Sequence, residues 1–166
     1  MLAARLSDVA PDGKATRVTY GLLNLTHRAS SRHPEALELG ASLYASYCTT
    51  CHGSDARGAF GFPNLADDEW LWGGTPDRIK ETLYQGRQAA MPAWLAVIGD
   101  DGVRNVAGYV RSLSGRESEN VDLEAGKTIF QSNCVACHGP EGKGNPMLGA
   151  PNLTDEVWLY GSSMLQ

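Results

Sequence analysis

The feature that most constrains this chain is a pentapeptide that occurs twice. Cys48-Thr49-Thr50-Cys51-His52 and Cys134-Val135-Ala136-Cys137-His138 each set two thiols three positions apart with an imidazole directly after them, and each is followed by glycine, Gly53 and Gly139. The two runs use all four cysteines, so no thiol is left for a disulfide. A C-x-x-C-H run reads as a c-type haem attachment site, because both thiols can bond to one porphyrin while the adjacent imidazole reaches its iron. Paired cysteines also suit redox-active dithiols or zinc knuckles. A thioredoxin-like dithiol needs a hydrophobic strand before it, whereas Pro34 to Tyr44 carries an amphipathic helical pattern with few β-branched residues. A structural zinc site needs four ligands close together; each motif offers three, and the motifs lie 86 residues apart. Haem is the reading that uses both motifs whole.

The duplication extends beyond the motifs. Gly126, Ile129 and Phe130 stand 86 positions after Gly40, Leu43 and Tyr44, the same offset that separates Cys48 from Cys134. Past the histidine the offset becomes 88, carrying Pro63-Asn64-Leu65 onto Pro151-Asn152-Leu153 and Trp70-Leu71-Trp72-Gly73 onto Trp158-Leu159-Tyr160-Gly161. Two residues have therefore entered the intervening loop, where insertions cost least. Four segments follow: residues 1–33, a first domain at 34–114, a polar linker at 115–120, and a second domain at 121–166. A domain of roughly 80 residues is marginal on side chains alone, and a buried porphyrin would supply the missing apolar core.

Within the first domain three helices are expected. The opening helix from Pro34 repeats Leu39, Leu43 and Tyr47, with Leu37, Ala41 and Tyr44 beside them. Gly40 inside it costs about 1 kcal/mol against alanine, which marks a close backbone approach, and the expected partner is the last helix, Asp101 to Leu113. Between them Thr75 as N-cap, Pro76 at the first helical position and Asp77 in the first turn open a third helix that would bury Ile79, Leu83 and Tyr84 and end at Gly86. Met91, in a stretch made rigid by Pro92, lies 39 residues after His52 and is the candidate thioether for the opposite face of the first iron. Trp70, Trp72 and Trp94 suit either the haem's surroundings or ordinary core. In the second domain the counterpart of Met91 would fall at position 179, beyond Gln166. Met147 and Met164, 9 and 26 residues past His138, match that spacing poorly, so the second sixth position is expected to be open.

Residues 1–33 carry five Lys/Arg against two Asp but neither the apolar core nor the cleavage site of a signal peptide. No run of 18 apolar residues exists to span a membrane, and His27 and His33 are expected at the surface. The formal net charge of −5 argues against nucleic acid as a partner and suits a basic donor protein.

Longer phrases carry a resemblance. Cys48 to Gly58, Phe62-Pro63-Asn64-Leu65, Asp68 to Gly74, Gly86 to Trp94, Asn105 to Leu113 and Pro151 to Ser163 resemble the di-haem cytochrome c subunit, subunit III, of bacterial cbb-type haem-copper oxidases. The resemblance implies an all-α chain of class I cytochrome c folds, one complete and one incomplete, with two covalent haem c groups. Cys48, Cys51, Cys134 and Cys137 would attach them, His52 and Met91 would be the first axial pair, and His138 the second proximal ligand. It implies single-electron transfer from a soluble cytochrome c donor towards the oxidase's catalytic subunit, beside its mono-haem subunit, at the periplasmic face of the inner membrane. The chain would not be an enzyme on its own. Where family members have an N-terminal membrane helix, residues 1 to about 30 show none, and the second axial methionine is missing. Two other functions compete: an independent di-haem enzyme such as a peroxidase, which would need an acid-base residue such as Glu141 or Lys143 at an open iron, and an electron-transfer module of a different complex.

Overall fold

The computed structural model describes residues 33–164. Tyr20–Leu25 and His27 lie outside the described residues; His33 is exposed, as expected, and precedes the first helix. Among the described residues there are six helices and no strand: α1 Pro34–Tyr47, α2 Thr49–His52, α3 Pro76–Gln85, α4 Leu95–Leu113, α5 Leu123–Asn133 and α6 Val135–His138. No helix among them is long and apolar enough to cross a membrane.

The local signals act where the sequence puts them. The Thr75 hydroxyl accepts the Arg78 N–H at 3.4 Å at the start of α3, and Gly86, at φ +70°, ends that helix while its N–H reaches the Thr82 carbonyl. The Asp122 carboxylate caps α5 by accepting the N–H groups of Glu124 and Ala125, both at 3.0 Å. α4 begins at Leu95, six residues before the expected Asp101, and is broken at Gly99, whose φ of +69° and ψ of 175° are not helical. The added turn forms because the Trp94 carbonyl accepts the N–H groups of Val97 and Ile98.

Two compact units interleave along the chain. One runs to Ala66 and takes in Ile79–Gly86; the other joins Asp67–Arg78 to the chain from Arg87 onward. The core of the second unit is the crossing of α4 and α5. Gly126 is buried there, and a Cβ on it would run into the Asn105 carbonyl and the Tyr109 Cβ. Around that point the Asn105 side-chain carbonyl accepts the Asp122 N–H at 3.0 Å, Tyr109 meets Phe130 with ring centroids 5.5 Å apart, and Phe130 is 1% exposed. Ile129 lies against Gly102, and Val121 against Gly108. The expected linker is thus partly laid along α4: Arg111 also donates to the Ser118 hydroxyl.

The close approach expected at Gly40 is not made. A Cβ on Gly40 would meet nothing within 4 Å, and α1 has no buried residue. The expected apolar stripe of α1 is left with Leu37 and Tyr47 exposed, and on α3 Leu83, at 67% exposed, and Tyr84 are not buried either. A close approach of the expected kind is made at Gly126 of α5, which has Ile129 and Phe130 beside it and an aspartate at its N-cap whose N–H donates to the Asn105 side chain.

Candidate haem-attachment sites

Each motif is built the same way. The first cysteine, Cys48 or Cys134, ends one helix and begins a one-turn helix, at φ −112°, ψ −28° and φ −107°, ψ −25° respectively. Its carbonyl accepts the N–H groups of both the second cysteine and the histidine. Two thiols and an imidazole are thereby carried on a single turn. All four cysteines are free thiols.

The histidines are oriented from behind. His52 Nδ1 lies 2.9 Å from the Pro63 carbonyl oxygen and His138 Nδ1 lies 3.0 Å from that of Pro151. A carbonyl can only accept, so Nδ1 carries the proton and donates, leaving the Nε2 lone pair for a metal. Pro63 and Pro151 are site residues whose role was missed. The signal lay in the repeated Pro-Asn-Leu, read only as a mark of duplication.

The loop that brings these carbonyls round is also duplicated. Gly58 N–H donates to the His52 carbonyl and Gly144 N–H to that of His138; Leu65 N–H reaches Ala56 and Leu153 N–H reaches Gly142. A two-residue bridge, Ala59 to Phe62, becomes Asn145 to Ala150 in the second copy. The two inserted residues therefore sit at the tip of this turn, beside Met147. Gly144 has φ +80°, and a Cβ there would stand 2.6 Å from the Pro151 carbonyl carbon and 2.7 Å from the Asn152 nitrogen. Gly144→Ala is expected to cost about 2 kcal/mol or more, from left-handed strain and backbone collision together. Thermal melts of the haem-free and haem-loaded chains should both fall; an unchanged melting temperature in both would contradict this loop geometry.

The two sites differ in cover. His138 is 7% exposed, while His52 is half-exposed with the Phe62 ring edge-on at 6.2 Å. Partial burial, then Cys137, pushes the Cys134 thiol above its ordinary value. Near the first motif the Tyr44 hydroxyl donates to the Gly53 carbonyl at 2.6 Å; desolvation, then Cys48 and Asp55, raises its phenol above the ordinary value.

The donor set fits haem c. Paired thiols, a tautomer-fixed imidazole with a free Nε2 and a flanking glycine recur at both motifs. A further sign comes from the second unit, where the buried Trp158 Nε1–H has no hydrogen-bond partner and the Arg116 guanidinium lies 5.4 Å from the centre of its ring. A buried donor left unpaired costs about 1–3 kcal/mol, and a porphyrin carboxylate is an acceptor of the right chemistry for it.

The comparisons with known proteins agree. Residues 35–110 match the family model for cytochrome c oxidase, cbb3-type, subunit III, and residues 123–166 match the cytochrome c model. The chain is 50% identical over 134 residues to the cbb3-type cytochrome c oxidase subunit CcoP of Rubrivivax gelatinosus, covering 80% of this chain and 44% of that protein. It is 42% identical over 174 residues to the corresponding subunit FixP of a Bradyrhizobium strain, covering 96% of this chain and 58% of the relative. The chain belongs to the cbb3-type cytochrome c oxidase subunit III family. Against CcoP of Cereibacter sphaeroides the identity is 39% over 155 residues, covering 84% of this chain and 53% of that one. The chain spans about half the length of the curated relatives it matches. Residues 1–43 also match an X-Pro dipeptidyl-peptidase C-terminal non-catalytic domain, a span that overlaps α1 of the repeat. For this family member the cytochrome c match implies covalently bound haem c.

The seven sequence-predicted site residues fall into two groups. Cys48, Cys51 and His52 lie in the first unit; Cys134, Cys137 and His138 lie in the second, and so does Met91. Met91 is 72% exposed. Two other methionines of the second unit have engaged sulfurs: Met147 Sδ accepts from Arg78 Nη2 at 3.0 Å, and Met164 Sδ from the Ser118 hydroxyl at 3.7 Å.

Proposed function

We propose that this chain carries single electrons through two haem c groups within a respiratory haem-copper oxidase, receiving them from a soluble cytochrome c and passing them towards the catalytic subunit. The observation that carries this reading is the twofold replay of one arrangement, a C-x-x-C-H turn whose histidine Nδ1 donates to a proline carbonyl. Cys48 and Cys51 would attach one haem and Cys134 and Cys137 the other, with His52 and His138 as proximal ligands and Met91 as a thioether ligand. The repeat copies at 34–114 and 121–166, joined at 115–120, would be of class I cytochrome c type. Partners would be the oxidase's catalytic and mono-haem subunits, at the periplasmic face of the inner membrane.

When bound, haem c supplies a one-electron iron couple. The chain's part is to hold it. The Pro63 and Pro151 carbonyls keep the proton on Nδ1, which raises the basicity of Nε2 as a ligand. The thiols, once bonded, prevent loss of the group in either oxidation state. No residue is required to move a proton, which separates this reading from a peroxidase. Glu141 and Lys143 are both exposed, and Lys143 donates to the Thr154 hydroxyl at 2.9 Å, tying down the loop.

The test is stoichiometry. Made with an export signal and a haem-attachment apparatus, the chain is expected to carry two haems, one on the peptide holding Cys48 and Cys51 and one on that holding Cys134 and Cys137, by peptide mass. Haem on neither peptide would overturn the reading, and haem on one alone would remove the relay. Rapid turnover of hydrogen peroxide by the two-haem protein would favour the enzyme reading instead.

A further inference from the structure

We propose that Met147 is an oxidation site whose sulfoxide tightens the fold: a peroxide converts the thioether to a sulfoxide, and the Arg78 guanidinium holds the new oxygen more firmly than it holds the sulfur. The inference goes beyond the haem reading and stands whether or not haem is attached.

Met147 is placed for attack from solvent. It sits on the longer of the two repeated turns and is 70% exposed. The turn beneath it is fixed by its own hydrogen bonds. Asn145 N–H donates to the Ala150 carbonyl at 2.8 Å, and the Asn145 carbonyl accepts the N–H groups of Leu148 and Ala150 at 3.0 and 3.1 Å. The Asn145 side-chain carbonyl accepts the Met147 N–H at 2.9 Å. The thioether therefore stands out from a held backbone.

What meets it comes from a remote part of the chain. Arg78, 69 residues away in sequence, donates through Nη2 to Met147 Sδ at 3.0 Å. Arg78 is itself anchored: its N–H reaches the Thr75 hydroxyl at 3.4 Å, its carbonyl accepts Arg87 Nη2 at 3.1 Å, and its Cγ lies 3.6 Å from the Cβ position of Gly73. Beside this contact Trp72 covers Gly149, where any Cβ would collide with the indole, and Arg87 lies over the same ring, 5.1 Å from its centre. All of these residues belong to one unit. The contact thus fastens the segment Asp67–Arg78 to the turn that leads into Pro151, whose carbonyl orients His138.

A thioether sulfur is a weak acceptor. With the guanidinium on one lone pair, the other faces the oxidant. One peroxide oxygen bonds to sulfur as the O–O bond breaks, sulfur gives up two electrons, and hydrogen peroxide leaves as water; a methionine sulfoxide reductase reverses the change. The sulfoxide oxygen carries more negative charge than the sulfur did, and a cationic donor already stands beside it, so the hydrogen bond strengthens as Arg78 moves from sulfur to oxygen. Sulfoxide formation is disruptive when it puts a polar group into a core; Met147 is exposed and takes no polarity inward. Met164 offers a contrast, since its sulfur meets the neutral Ser118 hydroxyl at 3.7 Å.

Hydrogen peroxide is the probe, applied to the haem-loaded full chain and to a haem-free chain whose four cysteines are replaced by alanine. Peptide mass locates the sulfoxide, and melting temperature is read before and after treatment in the parent chain, in Met147→Leu and in Arg78→Gln. The Met147 peptide is expected to gain one oxygen. The treated parent chain should melt higher than before, relative to Met147→Leu treated alike, and sulfoxide reductase should return it to its starting value. Arg78→Gln should gain the oxygen without the rise. A parent chain that melts lower or unchanged, a rise that persists in Arg78→Gln, or a Met147 peptide that gains no oxygen would each overturn the proposal. Should Arg78→Gln fail to fold, Met147→Gln gives the answer, because its carboxamide oxygen offers Arg78 a permanent acceptor. It is expected to melt above the untreated parent and to ignore peroxide, and a melting temperature at or below the parent's overturns the proposal. Failure to load haem bears on the haem reading alone, since the cysteine-free chain reports the same rise.

Discussion

Replacing Gly126 with valine is expected to unfold the crossing of α4 and α5, while alanine at its repeat counterpart, Gly40→Ala, stabilises the chain. Gly126 is buried with the Asn105 backbone carbonyl where its Cβ would stand. A backbone atom cannot rotate away, so the helices must separate, and separation exposes Phe130 and breaks the Asp122 to Asn105 hydrogen bond. Overpacking alone costs about 1–3 kcal/mol, and losing the packing around it brings the total to roughly 3 kcal/mol or more, on the order of 10 °C or more in melting temperature for a unit this size. Gly40 has nothing within 4 Å of its Cβ position, so alanine there gains the helix propensity difference of about 1 kcal/mol and loses no contact. Paired thermal melts of the haem-free and haem-loaded chains measure both. The opposite pattern, with Gly40→Ala destabilising and Gly126→Val tolerated, would contradict this packing.

Carbon monoxide is expected to bind one reduced haem per chain, the one attached at Cys48 and Cys51, and Met91→Ala is expected to raise the number to two. A six-coordinate iron with histidine and a strapped thioether has little affinity for outside ligands. Met91 lies in the unit that holds the second motif, whose His138 is 7% exposed. The first iron has its imidazole from His52, half-exposed on a short helix behind an α1 with no buried residue, and no methionine of its own unit opposite it among the described residues. Exposure stabilises the ferric charge, so this haem should also have the lower potential. Titration of the dithionite-reduced protein reads the stoichiometry, and chains with Cys48 and Cys51, or Cys134 and Cys137, replaced by alanine identify the reactive haem. Two inert low-spin haems, or reactivity confined to the haem at Cys134 and Cys137, would contradict it.

The linear pattern and the structure part company at identifiable residues. The ends of α3 were legible because their causes are local: Thr75 and Pro76 open it and Gly86 closes it. The insertion of two residues was legible as a change of offset from 86 to 88, and the structure narrows it to the turn from Asn145 to Ala150. The Pro63 and Pro151 carbonyls were legible only as a repeated Pro-Asn-Leu, because a backbone oxygen 11 or 13 positions from its histidine gives no residue-type sign of its orienting role. The requirement for glycine at Gly144 is hidden for the same reason, since it depends on where the Pro151 backbone returns.

From sequence alone came the chemistry: four thiols in two turns, two imidazoles, one well-spaced thioether, and a helical chain built twice. These follow from residue types and short spacings, which act within a turn or two of backbone. What only the tertiary structure decided is partnership. The helix that receives α4 is α5, and the interactions that hold it there are remote in sequence: Ile129 and Phe130 packing against α4, and the Asp122 N–H reaching Asn105. Such contacts depend on which surfaces the folded chain brings together, and Met91 lies in the same unit as that crossing.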